Sequence, residues 1–211
     1  LINIKLPALI EPSGKKSLST VVYDTRGPEF DDYALALPEI VTITTRDGLK
    51  LPARVIWPVD MDENRTYPVK VDIYGGPDNP QVYDRWAGLD FRTQWWANHG
   101  VIQVVLDNRA GGHLGKRGIE QAYRQLGTVE VKDFIDGIKC FLAQPYVDAS
   151  KVGISGFSFG GTMTALCVTE GSDYFKFGIA GGGVYDWSLY DTHYTERYMD
   201  TPQDNKDGYE S

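Results

Sequence analysis

Apolar and polar positions alternate with a period of two from Pro38 onward. Glu39-Ile40-Val41-Thr42-Ile43-Thr44-Thr45 reads as one strand, Asp47-Gly48 supplies a turn, and Ala53-Arg54-Val55-Ile56-Trp57 resumes the alternation until Pro58. Two such runs about a tight Asp-Gly signal predict a β-hairpin. Beyond it, apolar runs of strand type take turns with stretches of helical period. Val69 to Tyr74 predicts a strand ending at Gly75-Gly76-Pro77, Trp86 to His99 a helix stopped by Gly100, and Val101 to Asp107 a buried strand. Over residues 128–144, Val131, Phe134, Ile135, Ile138 and Leu142 fall on one helical face, and Pro145 lies just past the end. Lys151 to Ser155 predicts a short strand, Gly160 to Glu170 a helix and Phe177 to Ala180 a last strand. Strand–helix–strand repetition with apolar strands predicts an α/β fold, a mostly parallel sheet with helices on both faces.

Residues 1–37 differ from this. Polar turns around Pro12-Ser13-Gly14-Lys15-Lys16 precede one β-like run, Ser19 to Tyr23, and an acidic break spans Glu29 to Asp32. The stretch carries too little apolar content to fold alone. In the whole chain of 211 residues, 42% are hydrophobic, which suffices for a core. The net charge of −8 disfavours a general nucleic-acid binder, which needs a basic face. Cys140 and Cys167 sit in predicted helices among apolar neighbours, without metal-ligand spacing, and read as buried free thiols. No apolar run reaches the ~18–20 residues of a membrane span. The start of the chain lacks the features of a signal peptide, so compartment cannot be read from it.

The candidate chemistry centres on Gly156-Phe157-Ser158-Phe159-Gly160-Gly161, a Gly-x-Ser-x-Gly motif with a strand before it and a helix after it. That context predicts a nucleophile elbow. The turn is tight enough that residues two before and two after the serine must lack side chains, and Gly156 and Gly160 satisfy this. Ser158 would be presented at a helix N-terminus, and the Phe159 amide would donate to an oxyanion. Ser155, at the strand end, reads as structural.

Asp72-Ile73-Tyr74-Gly75-Gly76-Pro77 ends a neighbouring strand, where open α/β sheets place their sites. Tyr74 either packs in the core or donates a second hydrogen bond to the oxyanion. Downstream of Gly181-Gly182-Gly183, the segment Val184 to Met199 is rich in aromatics. Trp187, Tyr190 and Tyr194 recur at i, i+3 and i+7. A single helix would put them on one face, either turned into the core or lining an apolar slot suited to a proline ring.

Tyr74-Gly75-Gly76-Pro77, Gln125-Leu126-Gly127, Ala143-Gln144-Pro145-Tyr146-Val147-Asp148, the serine motif and Tyr194-Thr195-Glu196-Arg197-Tyr198-Met199 occur in this order. The set resembles the dipeptidyl peptidase IV branch of the prolyl oligopeptidases, over about residues 38–211. The resemblance implies an α/β-hydrolase domain that is C-terminally incomplete at 38–211, with 1–37 as the end of a preceding β-propeller domain of the same parent chain and its linker. It implies Ser158 as nucleophile and Tyr74 with the Phe159 amide as oxyanion hole. It implies Val184, Trp187, Tyr190 and Tyr194 as the pocket for the penultimate proline or alanine of a peptide substrate, from which an amino-terminal dipeptide is released. It implies no metal or other cofactor. Relatives often dimerise through this domain, with oligomeric state left open, and the resemblance favours a periplasmic or extracellular setting over a cytoplasmic one, which stays as the alternative. Phe159 replaces the tyrosine of the mammalian enzyme, and Gly183 stands where proline is usual.

The hydrolase order is Ser, then Asp, then His. His99 and His113 precede Ser158 and read as helix-end and loop residues. His193 follows it but lacks a suitably spaced acid. The family places its Asp and His beyond residue 211, so the 211-residue piece is expected to be inactive alone. Two other readings compete: an acylaminoacyl peptidase, oligopeptidase or esterase of the same fold, and a non-catalytic interaction module.

Overall fold

A six-stranded sheet organises the described residues, its strands lying side by side in the order Pro38–Thr44, Lys50–Ile56, Ile102–Leu106, Tyr67–Asp72, Val147–Phe157 and Phe177–Gly181. The structure, a computed structural model, describes residues 31–85, 88 and 90–210. Most of the expected propeller end and linker, together with Trp86, Ala87 and Leu89, lies outside the described residues. The predicted hairpin forms from β1 (Pro38–Thr44) and β2 (Lys50–Ile56), antiparallel with Val41 opposite Ala53. Gly48 takes φ +84° in the turn, and its amide donates to the Thr45 carbonyl at 2.9 Å. β2 also pairs antiparallel with β4 (Ile102–Leu106). The remaining pairings, β4 with β3 (Tyr67–Asp72), β3 with β5 (Val147–Phe157) and β5 with β6 (Phe177–Gly181), are parallel.

Helices lie on both faces, as the sequence predicts. On one face Val69, Val71, Ile102, Val104, Leu106, Val152 and Ile154 are buried. The helices α3 (Thr128–Leu142) and α4 (Phe159–Glu170) cover them, with Val131, Phe134, Ile138 and Met163 fully buried. Gly137 permits the close approach of α3, because a Cβ there would sit 3.0 Å from Ile43 and Leu106. On the opposite face α1 (Phe91–Asn98) is tied to β4 by Gln103, whose Nε2 donates to the Thr93 carbonyl at 3.0 Å. On that same face, beyond α1, Phe177 and Ile179 of β6 are exposed.

Three elements depart from the sequence reading. The helix expected from Trp86 starts at Phe91, because the Asp90 carboxylate caps the Arg92 amide and Gly88 takes φ +84°. β5 is eleven residues rather than five, with a register shift against β3 between Tyr67 and Val69. The expected single helix over 184–199 is broken into a 3-10 turn (Trp187–Leu189) and α5 (Thr192–Met199), since Asp186 and Asp191 each cap a new start. The short helices α2 (Lys116–Ile119) and α6 (Lys206–Glu210) lack a readable period. Cys140 and Cys167 are free thiols, the first half-buried and the second buried.

Buried charge stitches the hairpin to α3. Arg109 bonds Asp133 at 2.7 Å and Asp47 at 2.8 Å, and Arg46 bonds Asp136 at 2.9 Å. Thr45 and Arg109 together hold the Asp47 carboxyl down at about 2.

Candidate active site

The turn between β5 and α4 has the steric form the motif predicts. Ser158 sits at φ +57°, ψ −125°, a conformation that a side-chain-bearing residue adopts only under constraint. The constraint is visible on both sides. A Cβ on Gly156 would collide with the Gly160 carbonyl and lie 2.8 Å from the Ile73 carbonyl. A Cβ on Gly160 would lie 2.5 Å from that same carbonyl and 3.1 Å from the Tyr74 Cα. The two glycines therefore bring the turn against the end of β3, which carries Tyr74. Gly161 does the same against β6, where a Cβ would strike the Gly181 carbonyl. The Ser158 amide donates to that Gly181 carbonyl at 2.8 Å.

Ser158 is half-buried at the start of α4, and its side chain lies near enough to the half-buried Tyr74 hydroxyl to act on the phenol's acidity. Burial raises the Tyr74 phenol above its usual range, Tyr190 adds to the rise, and Ser158 opposes it. The phenol thus stays protonated and able to donate. The Phe159 amide opens the helix, and among the described residues it has no hydrogen-bond partner. Two donors and a hydroxyl therefore converge at one helix N-terminus, an arrangement suited to attack on a carbonyl and to holding the oxyanion that forms. Ser155 is occupied elsewhere: its hydroxyl donates to Asp72 at 2.5 Å, and Lys70 pairs with the same carboxylate.

Although the helix over 184–199 is broken, its aromatic rings still meet. Phe159 lies 6.2 Å from Tyr74 and 5.8 Å from Trp187 between ring centroids. Trp187 stacks near-parallel on Tyr194 at 6.4 Å, and Tyr190 meets both edge-on. Val184 is pinned against α4, because the Thr162 hydroxyl donates to its carbonyl at 2.9 Å and accepts from its amide at 2.8 Å. Six of the seven candidate residues therefore belong to two adjoining features, the serine turn and an aromatic wall, and Val184 is held to α4 through Thr162. Tyr198 extends the wall, 5.0 Å from Tyr194, and sequence reasoning missed it as a site residue. Its signal was available in the i, i+4 spacing from Tyr194. Burial drives the Tyr194 phenol well above the usual range.

The histidines do not join the site. His99 caps α1 and stacks on Trp95 at 3.9 Å, His113 bonds the buried Asp107 at 2.8 Å, and His193 meets Arg197 at 2.9 Å. Among the described residues no group of three His, Cys, Asp or Glu could hold a metal ion.

Glu130 escaped the sequence reading because its position in the first turn of α3 looks like an ordinary solvated cap. It is fully buried beneath the aromatic wall, and one oxygen accepts the Gly127 amide at 3.1 Å. Burial pushes its carboxyl up to about 8. The folded protein then holds a proton that the unfolded chain releases near 4.5, so stability falls as pH rises from about 4.5 to about 8. Glu130→Gln has no proton to lose. Relative to their difference at pH 4.5, the variant is expected to gain roughly 3 kcal/mol over the parent at pH 7, read as melting temperature across pH.

Residues 87–211 match the Prolyl oligopeptidase family. Dipeptidyl peptidase 8 of Mus musculus is 36% identical over 197 residues, covering 92% of this chain and 22% of the relative. The crystal structure of Porphyromonas gingivalis dipeptidyl peptidase 4 superposes with a TM-score of 0.82 at 35% identity, covering 94% of this chain and 28% of that one. The chain thus spans 18% to 22% of the length of the curated relatives it matches first.

Proposed function

The chain belongs to the prolyl oligopeptidase family, and from that premise we propose that it is the nucleophile-bearing part of a serine peptidase that releases dipeptides from peptide amino termini. The observation that carries this reading is the Ser158 turn, strained between Gly156 and Gly160 and packed against Tyr74. Ser158 attacks the carbonyl after the second residue of the peptide. The oxyanion that forms is held by the Tyr74 hydroxyl and the Phe159 amide, the amine leaves, and water hydrolyses the acyl-enzyme. Val184, Trp187, Tyr190 and Tyr194 form the slot for the penultimate proline or alanine. Their aromatic faces favour a compact apolar ring and offer no charge to compete with it.

The base that takes the serine proton lies outside the described residues, since each of the three histidines is engaged elsewhere. In this reading residues 1–37 are the end of a preceding β-propeller domain of the same polypeptide, with its linker. The Ala36 backbone, bonded through both its amide and its carbonyl to Gln94, is then where that linker meets the hydrolase domain.

Release of dipeptides separates this reading from an acylaminoacyl peptidase, an oligopeptidase or an esterase. The full-length protein is expected to cleave Ala-Pro-p-nitroanilide and to lose at least ~100-fold in kcat/KM when the substrate amine is acetylated, because release of a dipeptide requires recognition of the free, charged amino terminus that acetylation removes. Equal turnover of free and blocked substrates would reassign the protein to one of those alternatives.

A further inference from the structure

The geometry points to Asn108 as a positioning residue for Tyr74, acting through the Gly75 carbonyl; this rests on the reading of Tyr74 as an oxyanion donor. Asp107, Asn108 and Arg109 follow β4, the neighbour of β3, and all three are buried, at 1%, 0% and 7% exposure. Each side chain reaches a different wall. Asp107 accepts the Gln81 and Val82 amides and the His113 ring. Arg109 is clamped between Asp133 and Asp47. Among these bonds, those of Asn108 lie nearest Tyr74: its Nδ2 donates to the carbonyl of Gly75, the residue after Tyr74, at 2.7 Å, while its Oδ1 accepts the Ala110 amide at 2.7 Å.

Both ends of the amide are thus committed, and a flip would set oxygen against oxygen and hydrogen against hydrogen. Its anchor is equally fixed, because the Arg109 amide donates to Asp133 at 2.9 Å. The other end of the Tyr74 loop is closed by the Asp78 amide on the Ala110 carbonyl at 2.9 Å.

The peptide plane that Asn108 grips is the one joining Gly75 to Gly76. Gly75 takes φ +85° and lies against Met163 and Phe134, with 3.0 Å from its notional Cβ to each. The Tyr74 ring lies back over Gly76, where a Cβ would come within 2.6 Å of the ring's Cε1. Rotation of this plane would move the surface on which the tyrosine rests. The hydroxyl would then leave the place where the oxyanion develops, and oxyanion stabilisation is steep in donor position. The Phe159 amide, fixed by the helix, would be unaffected.

Asn108→Asp is nearly isosteric. It keeps an acceptor for Ala110 and turns the other atom from donor to acceptor against the Gly75 carbonyl. In the full-length protein we expect kcat on Ala-Pro-p-nitroanilide to fall about tenfold with KM changed less than threefold, since the lost interaction belongs to the transition state. The decisive measurement is the cycle with Tyr74→Phe. Once the hydroxyl is gone its position no longer matters, so Asn108→Asp should then lower kcat less than twofold. Asn108→Ala, which also drops the donor, is carried through the same cycle and decides the matter if the aspartate variant does not fold. An equal fall in both backgrounds would make Asn108 a structural residue only, and no fall in either would remove it from the mechanism. If Tyr74→Phe itself leaves kcat unchanged, it is the oxyanion reading that fails.

Discussion

Ser158→Ala is expected to lower kcat of the full-length protein on Ala-Pro-p-nitroanilide by roughly 10⁴- to 10⁶-fold, with little change in melting temperature. The size follows from the role: without the hydroxyl no acyl-enzyme forms, and only the oxyanion donors and substrate binding remain to accelerate attack by water. Stability should hold, because alanine keeps the Cβ, and the Ser158 backbone bonds to Gly181, Gly161 and Thr162 do not involve the side chain. Labelling by a fluorophosphonate should vanish in parallel. Ser155→Ala is the matched control, two strand positions past Gly153 and already spent on Asp72. It should keep turnover within a few-fold. Turnover that survives at Ser158→Ala, or is lost at Ser155→Ala alone, would place the nucleophile elsewhere.

The parts of the fold legible in the sequence were those where one periodicity ruled. β1 and β2 alternate cleanly about Asp47-Gly48, and the apolar stripe of α3 runs over four turns without a competing signal. Where caps compete with period, the reading slipped. Asp90 starts α1 late, and Asp186 and Asp191 cut one expected helix in two, because an aspartate accepting an amide two or three residues on offers the backbone a better start than continued helix. A short cap carries no periodicity, so nothing in the hydrophobic pattern marks it.

The serine turn was legible for a steric reason. Only glycine fits at 156 and 160 when the strand and helix cross so closely, and that demand is written directly into residue type. The aromatic wall was legible in membership but not in mechanism, since its rings meet through a broken segment rather than along one helical face. The buried polar residues were not legible. Glu130, Asp133 and Asn108 have the residue types of solvated surface; Asp133 and Asn108 are held by partners distant in sequence, Arg109 and Gly75, while Glu130 bonds the nearby Gly127 amide and is buried by the packing over α3. No local spacing encodes a bond across 33 residues of chain, such as the one from Asn108 to Gly75. One of the residues that escape the pattern, Asn108, bonds the turn beside Tyr74, so this support was less visible than the serine motif itself.

Tyr74→Phe should lower kcat about 10²- to 10³-fold while leaving KM within a few-fold, the signature of a donor used only in the transition state. The substitution removes one oxygen and keeps the ring on Phe159 and over Gly76, so the aromatic wall and the loop retain their packing. The remaining Phe159 amide accounts for the activity left over. Because burial and Tyr190 raise the Tyr74 phenol above its usual range, the hydroxyl remains a donor into the alkaline region. The parent's activity should then show no loss assignable to this phenol up to about pH 10, its ordinary value. The check is kcat and KM for both proteins on the same dipeptide anilide across pH. A variant that loses substrate affinity at unchanged kcat would make the hydroxyl a ground-state binding group and leave the oxyanion to the helix N-terminus alone.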